Sequence, residues 1–259
     1  MDQPAQLQPW KLVVIGLGAG LVGGGLGVGG GIVLVPMLLA VGAQRHRAHA
    51  TSLAAIVLIA VSGAVSFGVS GELDIVLGIT IGVGGVVGST VGASVMHRAS
   101  ARTLTVVFAV VLLVAGIRLI AGADPVAGTS GLSNAGETAI ALGVGVVAGF
   151  FAGLAGIGGG VVIVPSAVLL LGLEQHEAQG TSLVAIVLTA LAGSYVNFRN
   201  QRVRPMDGLM VGVGGVVGAL TGARVALGVE ARTLSLVFGF LVLFVALRSL
   251  YRVYRQPAV

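Results

Sequence analysis

The chain has 259 residues, 56% of them apolar and only 9% charged, and its mean hydropathy is +1.07. A soluble domain covers its surface with charge, so this composition excludes one and points to the lipid bilayer as solvent. The net charge of +5 sits in short loops and at the C-terminus, which suits a membrane face and not a nucleic acid; with no cysteine, disulfide and thiol chemistry are excluded too.

In chain order, Lys11 leads into an apolar run that reaches about residue 42 without a signal-peptide cleavage boundary, so it reads as the first membrane segment. Seven more apolar stretches follow, near 50–70, 73–96, 103–122, 137–172, 181–198, 208–228 and 233–251. The segment 122–136 is rich in Gly, Ser, Pro and Asn. It reads as a linker between a first membrane repeat, 1–121, and a second, 137–259.

The two parts repeat one another. Gly27-Val-Gly-Gly-Gly31 with Pro36 returns as Gly156-Ile-Gly-Gly-Gly160 with Pro165, and Thr51-Ser52-Leu53 returns as Thr181-Ser182-Leu183. Gly82 to Gly88 recurs letter for letter as Gly212 to Gly218, and Ala101-Arg-Thr-Leu104 as Ala231-Arg-Thr-Leu234. Corresponding loops differ in charge. Arg45 and Arg47 correspond to Glu174 and Glu177; Glu72 and Asp74 correspond to Arg199, Arg202 and Arg204 against one Asp207. Because Lys and Arg favour cytoplasmic loops, this reversal predicts halves of inverted topology.

Inversion requires an odd number of crossings per half, although each half shows four apolar stretches. The first stretch of each exceeds 30 residues; as one helix it would measure about 48 Å, against a hydrocarbon core of about 30 Å. Glycines and then a proline interrupt it, and both are poor in a helix interior. The expected fold is therefore all-α and polytopic, each half opening with a broken, re-entrant segment of two short helices and continuing with three transmembrane helices. A tilted, kinked single span is the competing geometry.

Backbone broken at membrane depth is tolerated where it is buried by protein or lines a cavity, and paired breaks in two inverted halves point to a substrate site. The candidate residues are Gly27, Gly29, Gly30, Gly31 and Pro36 in the first half. Their counterparts are Gly156, Gly158, Gly159, Gly160 and Pro165. The helix starting near Ile32 or Val161 would present free N–H groups to an anion, whereas a tight helix crossing would need no ligand. Thr51, Ser52, Thr181 and Ser182 stand where polar loop gives way to apolar run, so each pair can cap a helix or donate hydroxyls to the anion.

Gly84, Gly88 and Gly92, like Gly214, Gly218 and Gly222, fall at four-residue spacing and read as helix-packing stripes. Gly18-Ala-Gly-Leu-Val-Gly23 matches the dinucleotide fingerprint in letters but lacks its strand and acidic residue, so no cofactor follows from it. His49, matched by Gln179, reads as an interfacial residue or a proton sensor. Arg224, near the end of its stretch, reads as snorkelling to the interface. With no catalytic triad, paired buried carboxylates or metal-binding spacing, the chain is not expected to be an enzyme or to hold a metal.

GVGGGIVLVP at Gly27–Pro36 and His49-Ala-Thr-Ser-Leu53, with second copies at Gly156–Pro165 and Gln179–Leu183, resemble the TauE/SafE family of membrane transporters, also called sulfite exporters. The resemblance implies a multi-pass plasma-membrane transporter of small anions such as sulfite, organosulfonates or carboxylates. Together these readings predict a secondary transporter working by alternating access, with a passive anion channel as the alternative. A small anion and the bilayer are the expected partners, and a homo-oligomer is left open.

Overall fold

The computed structural model describes residues 8–95, 101–122, 135–155, 159–199 and 205–255. Among them the chain forms ten α-helices and no strand: α1 (Pro9–Gly25), α2 (Gly31–Ala40), α3 (Arg45–Val69), α4 (Ile75–Val95), α5 (Ala101–Ala121), α6 (Ala135–Ala155), α7 (Gly160–Leu171), α8 (Gln175–Arg199), α9 (Pro205–Leu227) and α10 (Ala231–Arg255). Helices satisfy every backbone group within one segment, which is what lipid demands. Six of them, α3, α5, α6, α8, α9 and α10, are long and apolar enough to cross a membrane; α1, α2, α7 and the described part of α4 are shorter apolar helices. Lipid-facing surface shows as exposed apolar stripes at helical spacing, among them Trp10, Val14, Leu17 and Leu21 on α1 and Phe240, Phe244 and Leu247 on α10.

The first segment of each half is indeed two helices, with unequal arms: 17 and 10 residues in α1 and α2, 21 in α6 and 12 in α7. The second arm is the shorter in each half. Between α1 and α2, the amides of Val28 and Gly29 donate to the Gly23 carbonyl at 3.0 and 3.2 Å. Gly27, Gly29 and Gly30 take φ of 69°, 71° and 80°, a region closed to most side chains. By Gly30 the chain has doubled back onto Ala19, whose carbonyl would lie 2.7 Å from a Cβ at Gly30. In the second half Gly156 and Gly158 lie outside the described residues, while Gly159 repeats the left-handed cap at φ 77°.

The prolines do not interrupt as expected. α2 runs through Pro36 and α7 through Pro165. Each removes one N–H donor from the second turn, and packing of α2 on α1 and α3, through buried residues such as Leu34 and Leu38, and of α7 on α8 and α6 holds the helices regardless.

Each half packs its first helix against the fourth helix of the other, α1 on α9 and α6 on α4. Glycine makes this approach feasible. A Cβ at Gly214, Gly218 or Gly222 would overlap the carbonyls of Val13, Leu17 and Leu21, and one at Gly16 or Gly20 would overlap those of Val211 and Gly215. On the equivalent pair, Gly84 and Gly88 meet the Leu142 and Val146 carbonyls, and Gly145 and Gly149 meet those of Ile81 and Gly85. Residue numbers rise together along each pair, so both are parallel. Helices this close exchange Cα–H···O contacts, each contributing about 0.5–1 kcal/mol.

Around the centre, two pairs of corresponding helices run in opposite directions. Leu53 faces Gly193 and Leu183 faces Gly63, which makes α3 antiparallel to α8. On α5 and α10, Gly116 faces Leu243 while Arg232 donates to the Leu119 and Ile120 carbonyls at 2.9 and 2.6 Å, closing the end of α5. The core is the fully buried row where these helices meet, including Ile56, Ile59, Leu183 and Ile186.

Candidate binding site

The Gly27–Gly29 turn is driven into the middle of the molecule. A Cβ at Gly29 would lie 2.9 Å from Ile186 Cγ2 and 3.2 Å from Ile56 Cγ2, so this residue is held between α8 and α3. Both isoleucines stand eleven residues past the start of their helices (56 − 45 and 186 − 175), about 17 Å along helices of about 38 Å. Gly160, the first residue of α7, abuts the other side, since a Cβ there would sit 2.6 Å from Val28 Cα and 2.9 Å from the Gly27 carbonyl. The break in one half and the helix start after the break in the other therefore touch.

Helices α2 and α7 begin at this place. Their N-caps, Gly30 and Gly159, offer no side-chain hydrogen bond, and the ladders start with Val33 and Leu34 on Gly30 and Val162 and Ile163 on Gly159. The amides of Gly31 and Ile32, and of Gly160 and Val161, precede the ladder and carry the positive ends of the two helix dipoles. Such ends favour negative charge.

The Thr-Ser pairs are not at helix starts. α3 begins at Arg45 after the N-cap Gln44, and α8 begins at Gln175, so both pairs lie well inside their helices and cannot cap them. Helical geometry splits each pair. Thr181 turns toward α4, where its Oγ1 accepts the Asp74 N–H at 3.0 Å, a cap across the molecule and not within its own helix. Its counterpart Thr51 is buried, with its carbonyl toward Gly208 of α9. Ser52 and Ser182 are completely buried, and neither Oγ has a hydrogen-bond partner among the described residues.

Gln179, Ser182 and Ile186 fall at i, i+3 and i+7 and share one face of α8. Gln179 touches Gly27 and Ile186 touches Gly29, so Ser182 faces the turn between them. On α3, Ser52 and Ile56 are one turn apart on the face that meets Gly29, with the unpartnered Nδ1 of His49 a further turn away. Gln179 is fully buried, and both ends of its amide lack partners. Sequence reasoning passed over it as a mismatch to His49; its spacing from Ser182 is the signal that would have found it.

Other candidates fall away from this cluster. Pro36 and Pro165 lie inside α2 and α7, beyond the turn. Arg224 is exposed on α9, as snorkelling requires. Gly18 has open space where its side chain would be, while Gly16, Gly20 and Gly24 on the adjoining face meet α9.

Six helices long and apolar enough to cross a membrane define a multi-pass membrane protein. The chain belongs to the sulfite exporter TauE/SafE family, whose profile matches residues 2–119 and 141–258. Among its relatives, the probable membrane transporter protein YunE of Bacillus subtilis (strain 168) is 28% identical over 263 residues, covering 93% of this chain and 96% of that one. A probable membrane transporter protein of Xylella fastidiosa (strain Temecula1) is 28% identical over 253 residues, covering 93% and 95%. One from Haemophilus influenzae (strain ATCC 51907) is 48% identical over 58 residues, 20% of this chain and 22% of that one. No solved structure matches the chain.

Proposed function

We propose that this protein is a secondary transporter of small anions of the sulfite, organosulfonate or carboxylate type, and not an enzyme. In this reading two inverted repeats, 1–121 and 137–259, joined by a linker at 122–136, rock about the central contact to give alternating access. The antiparallel run of α3 against α8 and of α5 against α10 supports the inversion, as does the return of the chain at Gly30.

The observation that carries the proposal is the pair Ser52 and Ser182, two buried hydroxyls without partners on the faces that meet one glycine turn. An unsatisfied buried hydroxyl costs about 1–3 kcal/mol, so each has reason to meet a ligand. Two helix N-termini, at Gly31 and Gly160, supply the complementary positive potential. The seal of Ile56 and Ile186 on Gly29 favours a carrier over an open pore.

The test is flux in proteoliposomes. Uptake of a small labelled anion should saturate and should be accelerated by the same anion on the opposite side. Ser52→Ala and Ser182→Ala should each reduce it at least about tenfold, the loss of one hydrogen bond to a charged group. Flux that rises linearly with concentration and ignores the opposite side would identify a channel.

A further inference from the structure

We infer that Gln179 sets the chemical class of solute in this site, selecting an oxyanion that also carries a hydroxyl or protonated oxygen. The inference rests on the anion-transporter reading and adds to it a recognition residue and a ligand chemistry.

Gln179 is fully buried, and neither Nε2 nor Oε1 has a partner among the described residues. It stands against the left-handed Gly27, whose Cβ position would lie 2.6 Å from Gln179 Cα and 2.8 Å from its Cβ. It shares a helix face with Ser182, whose Oγ is also unpartnered. A side-chain amide brings two N–H donors and one acceptor, whichever way round it is oriented. The donors suit any anion. The acceptor is satisfied by a ligand that itself has a proton to give, as an O–H does, and a simple carboxylate without one leaves it empty. A site built to hydrogen-bond a substrate hydroxyl rejects the analogue lacking it, because its own polar group is then stranded.

The asymmetry with the first half supports the assignment. The matching position is His49, so the two faces meeting the turn differ in chemistry although their backbones correspond. A solute with two unlike ends fits such a pair.

Glycolate and propionate are suitable probes, since they differ by a hydroxyl in place of a methyl at nearly constant size. Wild-type protein in proteoliposomes should take up glycolate at least about tenfold faster than propionate. Gln179→Met keeps the length of the side chain and removes both polar atoms, so it should reduce glycolate uptake to the propionate level. A residue that is merely structural behaves otherwise: replacing an unsatisfied buried amide by an apolar group is neutral or stabilising, with transport intact. The melting temperature of the detergent-purified variant should therefore hold or rise while glycolate selectivity disappears. Glycolate should raise the melting temperature of wild type and not of Gln179→Met. Gln179→Leu gives the same readings should the methionine variant fail to fold. Equal uptake of the two probes by wild type, or unchanged selectivity in the variants, overturns the assignment and leaves anion transport standing. Failure of wild type to move any small anion removes both.

Discussion

At the helix caps that follow the broken segments, the two halves share a backbone conformation in different surroundings. Gly30 and Gly159 are both left-handed N-caps, yet a Cβ at Gly30 would lie 2.7 Å from the Ala19 carbonyl, whereas one at Gly159 would lie 3.4 Å from the Ala148 carbonyl. The face meeting the turn carries His49, Ser52 and Ile56 on α3, and Gln179, Ser182 and Ile186 on α8. Backbone symmetry is enforced by glycine, because the interlocked helices admit no side chain there. Among the side chains on these faces, His49 and Gln179 are the pair that differs. Symmetry therefore belongs to the framework and asymmetry to the site.

The largest expected effect tests the symmetric part. Gly218→Leu and Gly88→Leu each drive a side chain into a helix backbone, at the Leu17 and Val146 carbonyls respectively. Both should cost more than about 4 kcal/mol and leave no monodisperse protein on size exclusion. Tolerance of one but not the other would break the equivalence of the two interfaces.

Next come the caps. Gly159→Ala should lower stability by about 1–2 kcal/mol, the penalty of a left-handed residue bearing a Cβ. Gly30→Ala should cost about 1–3 kcal/mol more, since the Ala19 carbonyl must also shift. Chemical denaturation in detergent orders the two, and equal losses would show that the crowding at Gly30 relaxes.

Thr181→Val should lower stability by about 1 kcal/mol through loss of the acceptor for the Asp74 N–H, yet leave anion uptake intact. Uptake that falls with stability unchanged would move Thr181 from the framework into the site. The smallest effect belongs to Gly18, which has open space around it on α1. Gly18→Ala should stabilise by about 0.5–1 kcal/mol through helix propensity, measured the same way.

The duplication, the all-helical fold and the broken first segments were legible because glycine and proline patterns survive in the letters. Helix beginnings were not. Hydropathy locates the second segment of each half at its apolar run, but α3 starts in Arg45-His-Arg-Ala-His, and α8 starts at Gln175, because polar residues continue a helix as readily as they end one. That misplaced the Thr-Ser pairs onto caps. The stripe of Gly214, Gly218 and Gly222 announced packing without naming α1 as the partner, since sequence spacing reports a face and not what lies against it. The proline expectation failed because neighbouring helices hold α2 and α7 together across a missing donor. Gln179 escaped notice because comparison of the repeats weighs likeness, and its interest lies in the difference.

The most direct measurement of the central claim is labelled-anion exchange by purified protein in sealed liposomes, with wild type beside the Ser52→Ala, Ser182→Ala double variant. The account predicts saturable uptake accelerated by anion trapped inside, and at least a tenfold loss in the double variant at unchanged melting temperature. Undiminished exchange by a well-folded double variant would contradict it.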